Sequence, residues 1–419
     1  MRGLAPPLDL LSPTLAILDH RLAKTSTTPI ALGLSGGGDS VALALMVAVW
    51  ARAQGRALHL LTVDHQLNPA SVKWNQACAS FALRLGAIHQ VLSWTGSKPA
   101  TGLPAAARLA RHRLLADQAR EIGARVILLG HTADDRAEGQ SMRQTGSTTP
   151  DPREWSPSPV WPEGRGVFIL RPMLDLRRGD LREWLTARAE TWIEDPANQN
   201  PKFARARARA MIDPLASVEP QFPDDEVLVA LAAQASFTPI LALSRDLLRE
   251  VNPQAARAFV GIASLCVSGG TRPPRTDKLS HLVAQLVSHG DIVATLAGAR
   301  IEASQSQVRW LRNPGELIRH KVAPLELQPN VPAVWDGRYE ITSTRPSKVV
   351  ALQGHMASLS ANARQQLRAI PAAARGGLPL VQGETSLCPL LENDTNLRVT
   401  DLTRQRFYAA TGLVISEPA

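Results

Sequence analysis

Two short segments of the chain hold residue types that handle anions and cations. Ser35-Gly36-Gly37-Gly38-Asp39-Ser40 lies between the apolar run Ile30-Ala31-Leu32-Gly33-Leu34 and helix-forming sequence from Val41 to Arg52. Glycines let a backbone approach a ligand closely, and the N–H groups and dipole of a helix start favour an anion, so this segment can cradle a phosphate. It lacks the Lys-Ser/Thr pair of a Walker A sequence, so γ-phosphoryl transfer is not its natural chemistry. Taken alone, the segment is equally a glycine-rich turn capped by Asp39 or Ser40.

The second segment, His131-Thr-Ala-Asp134-Asp135-Arg-Ala-Glu138, gathers three carboxylates in about one helical turn. Asp134 and Glu138 are spaced to share a helix face. Clustered carboxylates repel unless a cation resides among them, so Mg²⁺ or an ammonium substrate gives a physical reason for the grouping. The bland alternative is acidic residues that favour a helix dipole. Asp64-His65 closes a further apolar run, Leu58 to Val63, and His65 reads equally as a packed loop histidine.

These groups need elements to position them. Strand runs at Ile30–Leu34, Leu58–Val63, Arg125–Leu129 and Val167–Leu170 alternate with helical sequence at Val41–Arg52, Ser71–Gly86 and Leu103–Ile122. That alternation predicts an α/β fold with a doubly wound parallel sheet, Rossmann-like in its winding. Ligands of such sheets bind outside the carboxyl ends of the strands, which brings the three polar motifs to one edge and points to a nucleotide site. Thr145–Gly166, with five prolines and three glycines, reads as a long surface loop whose Trp155 and Trp161 either pack on their own domain or stack on RNA bases. Leu181–Glu190 and a basic stretch, Ala204–Ala210, read as helices.

Beyond Pro214 the sequence turns helical and apolar (Glu226–Ala235, Ile240–Val251, Lys278–Ser288), then β-rich over Ile292–Leu311 and Ala333–Ile341. We expect a nucleotide-binding α/β domain over 1–213, an α-helical linker or substrate domain over 214–289, and a small C-terminal α/β or β region over 290–419.

Composition bounds the class. The 419 residues exceed one ordinary core, since domains run to about 100–200 residues. Lys and Arg outnumber Asp and Glu by 46 to 37, for a net charge of +9, which suits a polyanionic partner. Cys78, Cys266 and Cys388 form no metal spacing and read as single buried thiols in a reducing compartment. With no apolar stretch approaching ~18 residues and no leader-like start, we expect a cytoplasmic protein away from the membrane.

Ser35–Ser40 resembles the PP-loop of the N-type ATP pyrophosphatases, enzymes that cleave ATP between the α- and β-phosphates. Within that group the chain is similar to the tRNA(Ile)-lysidine synthetases over about residues 28–214. The likeness runs through Val63-Asp64-His65-Gln66-Leu67, Ala107-Arg108-Leu-Ala-Arg111-His112, the His131–Glu138 segment and Arg171-Pro172-Met173-Leu174. It continues through Trp192-Ile-Glu-Asp195-Pro-Ala-Asn198 into Phe203-Ala-Arg205-Ala-Arg207-Ala-Arg209, with weaker echoes at Thr295–Gly298 and Trp335–Gly337.

The resemblance implies a two-step reaction. ATP adenylates the C2 carbonyl oxygen of the wobble cytidine in an isoleucine tRNA with a CAU anticodon, and the ε-amine of free L-lysine then displaces AMP. It implies ATP and Mg²⁺ as cofactors, and a homodimer as one oligomeric state found in the family. Ser35, Gly36, Gly37, Gly38, Asp39 and Ser40 would hold ATP, helped by Asp64, His65 and His131. Asp39 and Asp135 would hold the metal, and Asp134, Asp135 and Glu138 would orient Mg²⁺ and the lysine ammonium. Arg205 and Arg207 would act on the developing charge, while Arg108, Arg111, Arg205, Arg207 and Arg209 would contact tRNA or substrate. The chain departs from the family pattern at Gly139, where Thr is usual, at Asn68 for Arg, and at the alanines Ala206 and Ala208 between the arginines.

Two neighbouring chemistries compete. A PP-loop tRNA thiolase activates a base in the same way but delivers sulfur, which calls for paired cysteines or a cluster, and no CxxC is present. A small-molecule PP-loop amide ligase would work without RNA. A non-catalytic basic RNA-binding protein is the third reading, and pyrophosphate release would exclude it.

Overall fold

Along the strands of the N-terminal sheet, successive apolar residues face opposite sides, and both sides are covered. Ile30, Leu32, Leu58, Leu60, Val126 and Leu128 join one buried cluster, while Ala31, Leu61, Ile127, Leu129 and Ile169 join another. This period of two, with apolar residues at nearly every position, is what a sheet buried on both faces requires. The computed structural model describes residues 9–144, 151–195, 207, 225–237, 240–288, 290–319, 322–383 and 386–418. Two compact units are formed, Met1–Phe222 with Val414–Ala419, and Pro223–Leu413.

The first unit runs α1 (Leu11–Arg21), β1 (Ile30–Gly33), α2 (Gly38–Ala53), β2 (Leu58–Asp64), α3 (Ser71–Leu85) and β3 (Ile88–Ser93). It continues with α4 (Leu103–Glu121), β4 (Val126–Leu128), α5 (Ala133–Gln144), β5 (Trp155–Pro157), β6 (Phe168–Leu170) and α6 (Arg178–Thr186). The sheet order is β3-β2-β1-β4-β6-β5, parallel except for the antiparallel edge strand β5. The α/β doubly wound parallel sheet expected from the alternation is therefore present. Its strand order reverses between β1 and β4, the switch point where such sheets open a crevice.

Three elements go beyond the sequence reading. α1 and β3 were not anticipated, and the loop expected over 145–166 contains β5. Trp155 on that strand stacks on Phe168 with ring centroids 4.8 Å apart, and its Nε1 donates to the Val414 carbonyl at 2.7 Å. It packs within its own unit, half-buried against the sheet.

The second unit begins with α7 (Asp225–Gln234), β7 (Ser236–Phe237), β8 (Leu241–Ser244), α8 (Arg245–Glu250), α9 (Pro253–Ser268) and α10 (Thr276–Val287). β9 (Ile292–Leu296), β10 (Ala299–Ala303) and β11 (Gln307–Arg312) complete an antiparallel sheet ordered β7-β8-β11-β10-β9. The helical reading of Ile240–Val251 is corrected here: Leu241–Ser244 pair with Gln307–Trp310, and the helix starts only at Arg245. Strong helix formers yield to strand because the backbone finds ladder partners and Leu241 and Leu243 become buried. One sheet thus draws strands from both sides of residue 289. Two smaller sheets follow, of four and three strands, carrying Leu325–Leu327, Ala333–Trp335, Tyr339–Ser343, Ser347–Ala351, Pro379–Gln382, Ser386–Leu387 and Leu397–Asp401.

Among the described residues no helix is long and apolar enough to cross a membrane. Cys78, Cys266 and Cys388 are free and buried.

Candidate active site

β1 delivers the glycine-rich loop to the sheet edge at the switch point. Gly36 sits at φ +80°, a left-handed conformation that costs a side-chain-bearing residue strain, and a Cβ there would lie 2.4 Å from Ile193 Cδ1. Ile193 N donates to the Gly36 carbonyl at 2.9 Å, which pins the turn from outside. Ser40 Oγ donates to Gly37 O at 2.9 Å and lies 3.1 Å from Ser35 Oγ, so the two hydroxyls staple the loop. The N-cap position of α2 is Gly37, with no side-chain cap. Neither Asp39 nor Ser40 caps the helix, and the first N–H groups of α2 remain available to an anion.

β4 leads into α5 and the carboxylates. Thr132, fully buried, donates from N and Oγ1 to Asp135 Oδ2 at 3.0 and 3.2 Å, which fixes that carboxylate. The residue that unites the site is Arg178, at the start of α6. Its Nε donates to Asp39 Oδ2 and its Nη1 to Glu138 Oε1, both at 3.0 Å, while Nη2 lies 3.6 Å from Asp135 Oδ2. Its backbone N donates to Asp134 Oδ2 at 2.8 Å. Four of the five carboxylates predicted from the sequence therefore meet Arg178, Asp39, Asp135 and Glu138 at the guanidinium and Asp134 at the backbone N.

Side-chain exposures of 22% for Asp39, 10% for Asp135 and 2% for Glu138 place three largely buried carboxylates around the Arg178 guanidinium. Burial raises the pKa of Asp39, Arg178 opposes this, and Asp135 and Asp134 raise it further as like charges. Burial alone would favour a neutral Arg178, but Asp39, Asp135 and Glu138 outweigh it and push its pKa up. Among the described residues no group of three or more His, Cys, Asp or Glu forms a metal cage. Two hard carboxylates, Asp39 and Asp135, suit Mg²⁺, which is commonly held by one or two carboxylates together with nucleotide phosphates.

Sequence reasoning missed Arg178 and Thr132. Arg178 did carry a signal, because Arg177-Arg178 at a helix start opposes the helix dipole and calls for a local anion.

Of the remaining predicted residues, Asp64 and His65 stand at the end of β2 and His131 follows β4 at the same edge. Asp64 is committed to its own turn, accepting from Gln66 N at 2.8 Å, Asn75 Nδ2 at 3.1 Å and Ser71 Oγ at 3.3 Å. His65 is half-buried with its ring edge-on to Trp94, and burial followed by the charge of Arg111 lowers its pKa. His131 Nδ1 accepts from Arg171 Nε at 3.2 Å, so the neutral ring carries its proton on Nε2. Arg108 and Arg111 are partly buried on α4. Arg207 is helical and exposed, whereas Arg205 and Arg209 lie outside the described residues.

Residues 13–216 match the PP-loop domain family. The chain is similar to a tRNA(Ile)-lysidine synthase of Caulobacter vibrioides, 48% identical over 96% of this chain and 98% of the relative. It is also similar to one of Hyphomonas neptunium, 32% identical over 84% and 97% of the respective lengths. Among solved structures it matches a U34-tRNA thiolase of Methanococcus maripaludis at a TM-score of 0.40 and 15% identity, over 47% of this chain and 70% of that one.

Proposed function

The chain belongs to the tRNA(Ile)-lysidine synthase family, and from that membership and the site geometry we propose how its residues perform the reaction. The enzyme is a ligase that forms a carbon–nitrogen bond. It uses ATP with Mg²⁺ to activate the wobble cytidine of the CAU-anticodon isoleucine tRNA as an adenylate, then joins lysine to C2, giving lysidine, AMP and pyrophosphate. The observation that carries the residue roles is the meeting of Asp39, Asp135 and Glu138 beside the open N-terminus of α2.

The Ser35–Ser40 loop and the first N–H groups of α2 hold the ATP phosphates, with Asp64, His65 and His131 lining the same sheet edge. Asp39 and Asp135 hold Mg²⁺, which when bound neutralises charge on the phosphates. Glu138 and Asp135 receive the lysine ammonium, and Asp134 positions the group indirectly by holding the start of α6. The carboxylates hold the lysine as its ammonium, and the proton that the ε-amine gives up as the carbon–nitrogen bond forms passes to one of them. Arg108, Arg111, Arg205, Arg207 and Arg209 contact tRNA, and residues 214–289 and 290–419 extend that contact, mostly through phosphates.

Sulfur delivery is not favoured. Burial raises the pKa of Cys78, and pushes Cys266 up to about 12 and Cys388 up to about 11, so these thiols stay protonated and inert.

The test is incorporation of radiolabelled lysine into isoleucine-tRNA transcripts bearing CAU, with ATP and Mg²⁺, beside a methionine-tRNA control. We expect selective, ATP-dependent labelling that Asp39→Ala abolishes. Pyrophosphate release with RNA but no lysine incorporation would preserve base activation and remove lysine as the nucleophile. Light scattering of the purified chain tests the homodimer implied by the family.

A further inference from the structure

Leu413 is the last residue of the second unit and Val414 resumes the first, and both are fastened. On the near side, the helix Leu402–Ala410 is rooted in the second unit's core by Phe407, which is fully buried and edge-on to Phe259 with ring centroids 5.5 Å apart. Thr411 N and Oγ1 donate back to the Phe407 carbonyl, and Leu413 N donates to Tyr408 O at 3.0 Å. Leu413 itself packs against that core. The next carbonyl along, that of Val414, accepts from Trp155 Nε1 of the first unit at 2.7 Å. The chain thus crosses with no free residue between its two anchors.

Val414–Glu417 belongs to no helix or strand, and a short irregular segment holds its shape only where its polar groups find partners. The Ile415 carbonyl accepts from Arg21 Nη1 at 2.7 Å, and Glu417 N donates to Arg21 O at 2.8 Å. Arg21 Nε also reaches Glu154 Oε1 at 2.7 Å, so one arginine grips this segment and the residue before Trp155 together. Each carboxylate oxygen of Glu417 takes two donors: Oε1 from Arg56 Nη2 and Thr28 Oγ1, Oε2 from Arg56 Nη1 and Ala23 N. Arg56 is held in turn by the Thr28 and Ala23 carbonyls. Separate pieces of the first unit, at Arg21–Thr28, Arg56 and Glu154–Trp155, therefore converge on one short segment.

We propose that Val414–Glu417 is a strap that keeps the second unit on a tether without slack, so that tRNA held by that unit is presented to the adenylation site at high effective concentration. This rests on the reading above that residues of both units contact tRNA. When two linked modules hold one polymer, the second attachment is intramolecular, and it weakens as the link between the modules lengthens or softens. A junction with no flexible residue has lost its conformational freedom before RNA arrives, so binding does not have to remove it. Arg21, Arg56, Trp155 and Glu417 are positioning residues in this scheme, acting through the strap and not on the reacting atoms. The other crossing of the chain, Phe222–Pro223, lies outside the described residues.

The test inserts four, eight or twelve glycine and serine residues between Leu413 and Val414 of the full chain. Every anchor on both sides is kept, and the longest insert adds a span of about 20 Å. Lysine incorporation is measured with the whole CAU transcript and with its anticodon stem–loop alone. We expect an unchanged melting temperature and an unchanged kcat at saturating RNA. KM for the whole transcript should climb with insert length to about 10-fold, while KM for the stem–loop stays at the wild-type value. Trp155→Phe, which keeps an aromatic ring against Phe168 and loses the bond to Val414, should move KM for the whole transcript the same way by about 3-fold. A wild-type KM for the whole transcript at every insert length would overturn the proposal and reduce the strap to packing of the first unit. An equal rise for transcript and stem–loop would overturn it too, by placing the effect in the first unit's own site. A wild-type enzyme that uses the stem–loop as well as the whole transcript would sink the second unit's tRNA contact itself, a result distinct from a whole-transcript preference that ignores the insert.

Discussion

Asp39, Asp135 and Glu138 are each acidic for the same reason, and Arg178 shows what that reason is worth. Replacing Arg178 by Met leaves three poorly solvated carboxylates facing one another, which should cost about 3 kcal/mol of stability in urea denaturation without metal. Added Mg²⁺ should return part of that loss in the variant and do less for the wild type; an identical response of the two proteins would dissociate Arg178 from the metal-binding carboxylates. His112 gives a pH effect of definite sign. Its pKa falls from 6.5 to about 2 on folding, so the unfolded chain binds a proton that the folded chain refuses. This contribution to stability is fully present above pH 6.5 and is lost as pH falls toward 2, with a slope of about 1.4 kcal/mol per unit. His112→Leu should flatten the decline between pH 6 and 4, as read by chemical denaturation across that range. The carboxylates were legible in the sequence because they crowd into one turn of one helix. Arg178 was not, because its four partners sit on other elements and its own helix begins three residues before the periodicity announces it.

At the scale of elements, the site depends on how closely β4 passes the start of α2. A Cβ at Gly130 would lie 2.9 Å from the Asp39 carbonyl and 3.1 Å from Ser40 N, both backbone atoms that cannot swing aside. Gly130→Ala should therefore displace the phosphate-binding turn from the carboxylates, raising KM for ATP by about 10-fold or more and costing about 1–3 kcal/mol of stability through overpacking. A variant with wild-type KM would mean that the turn and α5 move as one body. The buried strands and long helices of this unit were legible from apolar runs and periodicity. β3 escaped because Ile88–Ser93 is an edge strand with exposed and half-buried residues, lacking the continuous apolar run of its neighbours. β8 escaped for the opposite reason, since its residues favour helix and only the pairing with β11, more than sixty residues away, makes them a strand.

At the scale of the whole molecule, the first unit is discontinuous in sequence, and its last segment is held by one buried ion pair. Glu417 takes a two-pronged bond from Arg56, Nη1 to Oε2 at 2.8 Å and Nη2 to Oε1 at 2.6 Å, with side-chain exposures of 1% and 0%. Thr28 Oγ1 and Ala23 N each donate to the same carboxylate at 3.0 Å. Arg21 Nη1 donates to Ile415 O at 2.7 Å, and Trp155 closes on Val414 as described. Nothing in Val414–Pro418 announces this role, because an isolated glutamate in a short irregular segment looks like any exposed acid until its partner, 361 residues earlier, is brought beside it. A pair this deep contributes little net stability compared with apolar residues of the same volume, yet removing one partner strands the other charge. Glu417→Gln should therefore cost about 3 kcal/mol in urea denaturation of the full chain, and Glu417→Leu about as much. The double variant Arg56→Met with Glu417→Leu should recover most of the loss, since neither charge then remains to be desolvated. If the double variant is no more stable than the single ones, the segment is anchored by its backbone bonds to Arg21 and Trp155, and the ion pair serves only to set which residue of the tail lands there.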